Sequence, residues 1–154
     1  MIRAFRLCKT ELLDSAFSGE ESCQNGGRWN SPGHRVVYTS SSLSLATLEI
    51  LVHLEDPTAL SQLYSWIPLE IPPPCIEHIA PDSLPPEWAN DDPTPAVRAI
   101  GDHWLQSHKN AALAVPSAVT PGEWNYLINP SHTRFSEIRA GDPRPFEPNP
   151  RLMS

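Results

Sequence analysis

Between His34 and Ser40 the chain alternates, with Val36 and Tyr38 on one side and Val37 and Thr39 on the other, the period of a half-buried strand. A few residues later the period changes. Ser41 or Ser42 can cap a helix, Leu43 to Leu54 is almost unbroken hydrocarbon, and Asp56-Pro57 stops it because the residue before proline avoids the helical region. A helix apolar on every side predicts full burial. Further strands are predicted over Met1 to Cys8, over Gln62 to Ile71 with Leu63, Tyr64, Trp66 and Ile67, and over Ala111 to Val115. Thr94-Pro95 reads as an N-cap followed by proline at the first helical position. The helix it opens carries Val97, Ile100, Trp104 and Leu105 on one face, which should cover a sheet. Dispersed strands with few helices predict an α+β fold with a mainly antiparallel sheet.

Proline punctuates the rest. Twelve of the eighteen prolines cluster at Pro72 to Pro74, Pro81, Pro85-Pro86, Pro93 and Pro95, and again from Pro143 to Pro150, which predicts loops rather than sheet interior. Ile71, Ile76, Ile79, Leu84 and Trp88 interrupt the middle cluster, so it is expected to pack on the core as a belt rather than to link two domains. At 154 residues and 40% hydrophobic, residues 1–154 are read as a single domain with one core.

One carboxylate breaks the apolar helix. Glu49 has Leu45, Ala46, Val52 and His53 at helical contact distance, and an unpaired buried carboxylate costs several kcal/mol, roughly, or takes up a proton. It is either paired, with an arginine such as Arg28, or functional. Upstream, Gly26-Gly27 permits positive φ and close approach, and Arg28 brings a planar fork matched to carboxylate or phosphate. Asn30-Ser31-Pro32-Gly33 is a turn signal, and an ordinary turn with a solvated arginine is the plainer reading. Tyr38 alone reads as core. Ser117, after the Ala111 to Val115 strand, lacks a nucleophile-elbow motif and reads as a turn or cap hydroxyl.

The ordered set is more specific than its parts. GGRWN, a turn, VVYTS and a Leu-rich helix with an embedded Glu resemble the RES-domain toxins. So do Phe5-Arg6 near the start, Val115-Pro116-Ser117 followed by Glu123 to His132, and Pro145-Phe146 with Arg151-Leu152 near the end. The resemblance covers nearly the whole chain. It implies an ADP-ribosyltransferase-like split sheet holding nicotinamide adenine dinucleotide (NAD) as substrate in a cleft. It also implies a toxin that cleaves the nicotinamide–ribose N-glycosidic bond as a glycohydrolase or phosphorylase, with ADP-ribosylation of a cellular protein as the alternative. A non-enzymatic module, in which Arg28 and Glu49 only brace the core, is the competing class.

Carried over position by position, the resemblance makes Glu49, Arg28 and Tyr38 catalytic. Arg6, Arg28, Tyr38 and Ser117 become the NAD-binding set. Glu49 would steady positive charge on the ribose, Arg6 and Arg28 would hold the diphosphate or orient Glu49, Tyr38 would stack on nicotinamide, and Ser117 would bond a carboxamide or ribose oxygen. An Xre-family antitoxin covering the cleft and a homodimer are the implied partners.

Charge and composition narrow the rest. A formal charge of −7 argues against broad nucleic-acid backbone binding. Lys9 and Lys109 are the two lysines against nine arginines, a balance that favours local, directed anion contacts. Cys8, Cys23 and Cys75 share no CxxC spacing, so neither a disulfide framework nor zinc is expected. HExxH is absent, and His103 and His108 lie five apart, so no metal is expected. GxGxxG and GxxxxGK nucleotide loops are also missing. No signal peptide or membrane-length apolar run is read, and the reducing cytoplasm is the expected compartment.

Overall fold

The computed structural model describes residues 1–153 and is organised on one eight-stranded sheet in the order β4-β5-β6-β2-β1-β3-β7, with β8 also paired to β3. The strands are β1 (Ile2–Lys9), β2 (Val37–Ser40), β3 (Tyr64–Ile71), β4 (Ile76–His78), β5 (Ala112–Pro116), β6 (Trp124–Ile128), β7 (Arg139–Ala140) and β8 (Arg144–Pro145). The helices are α1 (Glu20–Asn25), α2 (Leu43–Leu51), α3 (Ala59–Leu63) and α4 (Pro95–Ser107). Only β4 and β5 run parallel, so the expected α+β, mainly antiparallel architecture is the observed one.

The sheet is split at its centre. β1 pairs with β3 along its whole length, from Ile2↔Ile71 to Lys9↔Tyr64, and β2 pairs with β6 along its own, from Val37↔Ile128 to Ser40↔Asn125. Between β1 and β2 a single register pair remains, Phe5↔Ser40. Two sub-sheets therefore diverge from that point.

Register also assigns the faces. Phe5, Ser40 and Asn125 are successive cross-strand partners and share one face, together with Leu7, Tyr38 and Leu127, because side chains alternate along a strand. On that face α2 covers β1 through Leu7, Ala46, Leu60, Tyr64 and Phe146, while α4 packs Val97, Trp104 and Leu105 on Val36, Leu113, Val115 and Leu127. The opposite face gathers Ala4, Val37, Leu69, Ile71, Ala112, Ala114, Tyr126 and Ile128 into a second core.

α2 begins where the sequence placed it, with the Ser42 side chain accepting from the Leu45 N–H at 3.0 Å. It ends at Leu51 rather than Leu54. The N–H groups of His53 and Leu54 bond to the carbonyls of Ile50 and Leu51, so the last turn tightens. Asp56 then accepts from the Thr58 N–H and opens α3 before the predicted β3, which consequently starts at Tyr64 rather than Gln62. Nor is α2 buried all round: Leu45, Ala46 and Thr47 face the sheet, but Leu48 and Val52 are 37% and 57% exposed. An apolar composition does not bury a helix whose outer side has nothing packed on it.

α4 takes the predicted cap and face, although the buried Thr94 hydroxyl makes no hydrogen bond. The proline belt packs as expected, with Ile79, Leu84 and Trp88 against the α4 core and Trp88 stacked on Trp29 at 6.1 Å between ring centroids. It is not all loop, because Ile76–His78 joins the sheet edge. The proline-rich end likewise supplies β8, where Arg144 and Pro145 pair with Trp66 and Ser65. Of these two short edge pieces only β8 carries a proline, Pro145, at a sheet position that tolerates one. Among the described residues no helix is long and apolar enough to cross a membrane.

Candidate active site

Glu49 lies on α2, half-buried, and its partners come from the far side of the split. Ser117 donates its hydroxyl hydrogen to Glu49 Oε2 at 2.8 Å, and the Asn125 amide donates to the same oxygen at 2.5 Å. The Ser40 hydroxyl donates to Asn125 Oδ1 at 2.7 Å and so holds the other end of the amide whose nitrogen faces the carboxylate. Ser117 is fully buried, and its oxygen also accepts from the N–H groups of Val119 and Thr120. A carboxylate oxygen has two lone pairs and can accept both donors at once. Among the described residues, Oε1 carries no protein hydrogen bond.

The pairing of Glu49 with Arg28 does not occur. Arg28 Nη1 donates to the carbonyls of Trp88 and Asn90 at 2.9 and 2.7 Å, and Nη2 to that of Asp91 at 3.3 Å. A planar fork satisfies several carbonyls at once, so the guanidinium ties the proline belt to the glycine turn. Among the described residues, the Arg134–Glu137 ion pair and the 3.9 Å contact of His34 with Asp102 involve neither residue.

The turn itself is built around Asn30, which is fully buried. Its amide donates to the carbonyls of Ser22, Ser31 and His34, and its Oδ1 accepts the Tyr38 phenol at 2.5 Å. Tyr38 Oη in turn accepts the Trp29 N–H at 3.2 Å. Gly27 has to be glycine, because a Cβ there would sit 2.5 Å from Tyr38 Oη. From α4, Arg98 donates to the Gly27 carbonyl, Asp102 accepts the Ser31 N–H, and Gly101 lets the Trp29 carbonyl approach to where a Cβ would stand. Burial pushes the Tyr38 phenol well above its ordinary range, with the Trp29 N–H opposing. Its ring stays half-buried, two residues along β2 from Ser40 on the same face, a separation of about 7 Å.

Arg6 starts from the other face. Alternation groups it with Ala4 and Cys8, yet its guanidinium reaches into the split, where Nε donates to Ala16 O at 3.2 Å and Nη1 to Tyr38 O at 3.3 Å. Burial lowers its pKa, and Cys8 and Glu21 oppose that. It borders a cleft of about 310 Å³ with Cys8, Ala16, Glu20 and Glu21. The structure thus joins Glu49 to Ser117, and Tyr38 to Arg6 and to the Arg28 turn, but neither arginine meets Glu49. Ser117 was expected at a ligand oxygen; its one hydroxyl hydrogen is committed to Glu49 and the residue is enclosed. Sequence reasoning missed Asn30, Ser40 and Asn125. Asn125, polar inside the apolar run Trp124–Ile128, was the available signal.

A carboxylate anchored by one oxygen, an aromatic ring on the same sheet face and a sheet split between them form the candidate site. The chain belongs to the RES domain family, whose profile matches residues 3–149. It is 36% identical over 149 residues to a Yersinia enterocolitica protein named Toxin Res, covering 96% of this chain and 97% of that one. A Sphingobium protein named Prs ADP-ribosylating toxin is 37% identical over 142 residues, covering 88% and 86%. Among solved structures, a chain of the M. tuberculosis MbcT-MbcA toxin-antitoxin complex superposes with a TM-score of 0.75 at 18% identity, over 94% of this chain and 84% of that one, a likeness of fold.

Proposed function

We propose that this chain is the toxin of a toxin–antitoxin pair and an enzyme that cleaves the nicotinamide–ribose bond of oxidised NAD. The observation that carries the reading is the half-held Glu49 carboxylate, Oε2 fixed by Ser117 and Asn125 and Oε1 left to a ligand, in a chain of the RES family. Nicotinamide departs as a neutral ring by taking the electron pair of the C–N bond, so no general acid is needed. Positive charge then spreads over the ribose ring. A fixed carboxylate beside that ring stabilises the charge as it develops, and it can accept a ribose hydroxyl. The Tyr38 ring supplies a stacking surface for nicotinamide. Arg6, at the Tyr38 carbonyl, and Arg28, at the turn held by the Tyr38 hydroxyl, bring the positive charge that a diphosphate requires.

Water as acceptor forms a new C–O bond at the ribose carbon and releases a proton, giving ADP-ribose. Inorganic phosphate attacks the same carbon and gives its phosphate ester. A protein side chain as acceptor is the second reading, favoured by the name of the Sphingobium relative. The net charge of −7 favours the small-molecule reading over an acidic macromolecular substrate. An Xre-type antitoxin over the cleft, a homodimer and a cytoplasmic site of action complete the proposal, the first in keeping with the fold shared with a chain of a toxin–antitoxin complex.

The test is nicotinamide release from NAD by the purified chain, with and without phosphate, beside Glu49→Gln. Release that disappears in a folded Glu49→Gln chain supports glycosidic cleavage, and its phosphate dependence names the acceptor. Equal release from both proteins rules out this role for Glu49. NAD bound but intact directs attention to a protein acceptor, and absence of both binding and release leaves a non-enzymatic module.

A further inference from the structure

Glu49 has two chemically equivalent oxygens, and the protein treats them differently. Both side-chain donors converge on Oε2, at 2.8 Å from Ser117 and 2.5 Å from Asn125, although they arrive from different places, just past β5 and near the start of β6. Asn125 could equally present its carbonyl, which would repel a carboxylate. The acceptor-only carboxylate excludes that flip, and Ser40 holds the amide in place by donating to Asn125 Oδ1 at 2.7 Å from the neighbouring strand, across the register pair Ser40↔Asn125. Ser117 cannot be replaced by its mirror arrangement either. Its oxygen is filled by the N–H groups of Val119 and Thr120, so its hydrogen has one direction left, toward Glu49.

We infer that Asn125, held by Ser40, is a positioning residue that fixes the place and plane of the Glu49 carboxylate, and so where its free oxygen meets the substrate. The inference rests on the NAD reading of the site and names residues outside the set carried by family resemblance. Ser40 and Asn125 sit on the two adjoining strands of one sub-sheet, while Glu49 comes from the helix that covers the other. The relay Ser40→Asn125→Glu49 therefore spans the split and aligns the carboxylate of one half with the other half. A misaligned carboxylate still binds but reacts slowly, because a displacement of about 1 Å in a catalytic group costs on the order of 100-fold in rate.

The experiment measures kcat and KM for nicotinamide release from NAD in wild type, Asn125→Ala, Ser40→Ala, the double variant and Ser40→Thr. Asn125→Ala should lower kcat roughly 10- to 100-fold with KM nearly unchanged. Ser40→Ala should lower kcat less, and Ser40→Thr should restore it because the donor returns. The double variant should be no slower than Asn125→Ala, since Ser40 acts through Asn125 and the effects do not add. Wild-type kcat in Asn125→Ala, or independent losses that multiply in the double variant, overturns the inference while leaving NAD cleavage standing. No release from wild type overturns the cleavage of free NAD on which the inference rests, and the inference with it. If Asn125→Ala does not fold, the Ser40 pair decides: equal kcat in Ser40→Ala and wild type overturns the inference.

Discussion

Tyr38 donates its phenol to the side-chain carbonyl of Asn30 at 2.5 Å, and this bond joins the central strand β2 to the turn that carries Arg28. One residue thereby has two separable jobs. Its hydroxyl organises GGRWN, and its half-buried ring borders the candidate site. Tyr38→Phe removes only the first. It leaves the Asn30 oxygen and the Trp29 N–H without their partner, so it should destabilise the fold by about 1–3 kcal/mol in chemical denaturation. Nicotinamide release should survive it far better than Tyr38→Ala. Equal release by both variants would remove the ring from the mechanism.

The same phenol predicts an alkaline limit. Burial raises the pKa of Tyr38 above the ordinary phenol value of 10.0, and burial also raises those of Tyr64 and Tyr126. A raised phenol pKa means the folded state favours the neutral form. That stabilisation is complete below pH 10, the ordinary phenol range, and is lost as pH climbs from there through the folded-state values. Stability measured across this alkaline range should fall for wild type and fall less steeply for Tyr38→Phe. Parallel slopes would mean that Tyr38 ionises as freely in the folded chain as in the unfolded one.

Arg28 grips backbone carbonyls at Trp88, Asn90 and Asp91, so its loss should act first on the belt. Hydrogen bonds from a charged donor contribute about 1.5–3 kcal/mol, and Arg28→Ala should speed amide exchange across residues 86–92. Arg28→Lys should recover little of the protection, because an ammonium lacks the planar fork. Belt exchange unchanged in Arg28→Ala would show that the Trp88–Trp29 stack holds this segment without the arginine.

The elements that could be read from the sequence are those whose cause is local. The alternation around Tyr38, the Ser42 cap and the Thr94-Pro95 start all appear where period and capping chemistry place them. α2 stops ahead of Pro57 because its last turn tightens at His53 and Leu54, and β6 went unrecognised because Trp124–Ile128 does not alternate, Tyr126, Leu127 and Ile128 being apolar in succession. The partners of Glu49 were out of reach for a different reason. Ser117 and Asn125 lie 68 and 76 positions away, and strand register across the sheet brings them there. Arg28 carries the opposite lesson: its partners are backbone carbonyls, groups that every residue has and no sequence pattern marks.

Ser117 offers the sharpest contrast between resemblance and geometry. A residue that bonds a carboxamide or ribose oxygen of bound NAD should, when truncated, weaken ground-state binding and raise KM. A residue that orients Glu49 should lower kcat and leave KM nearly alone. In the structure its hydrogen goes to Glu49, its oxygen receives two backbone N–H groups, and no surface of it faces solvent. Ser117→Ala is therefore expected to cost about 1–3 kcal/mol of stability, since the N–H groups of Val119 and Thr120 lose their acceptor. Its kinetic loss should fall on kcat. Combined with Glu49→Gln it should add little further loss, because the serine's contribution passes through that carboxylate. A rise in KM with kcat preserved would return Ser117 to the ligand and require its side chain to turn out of the pocket it fills here.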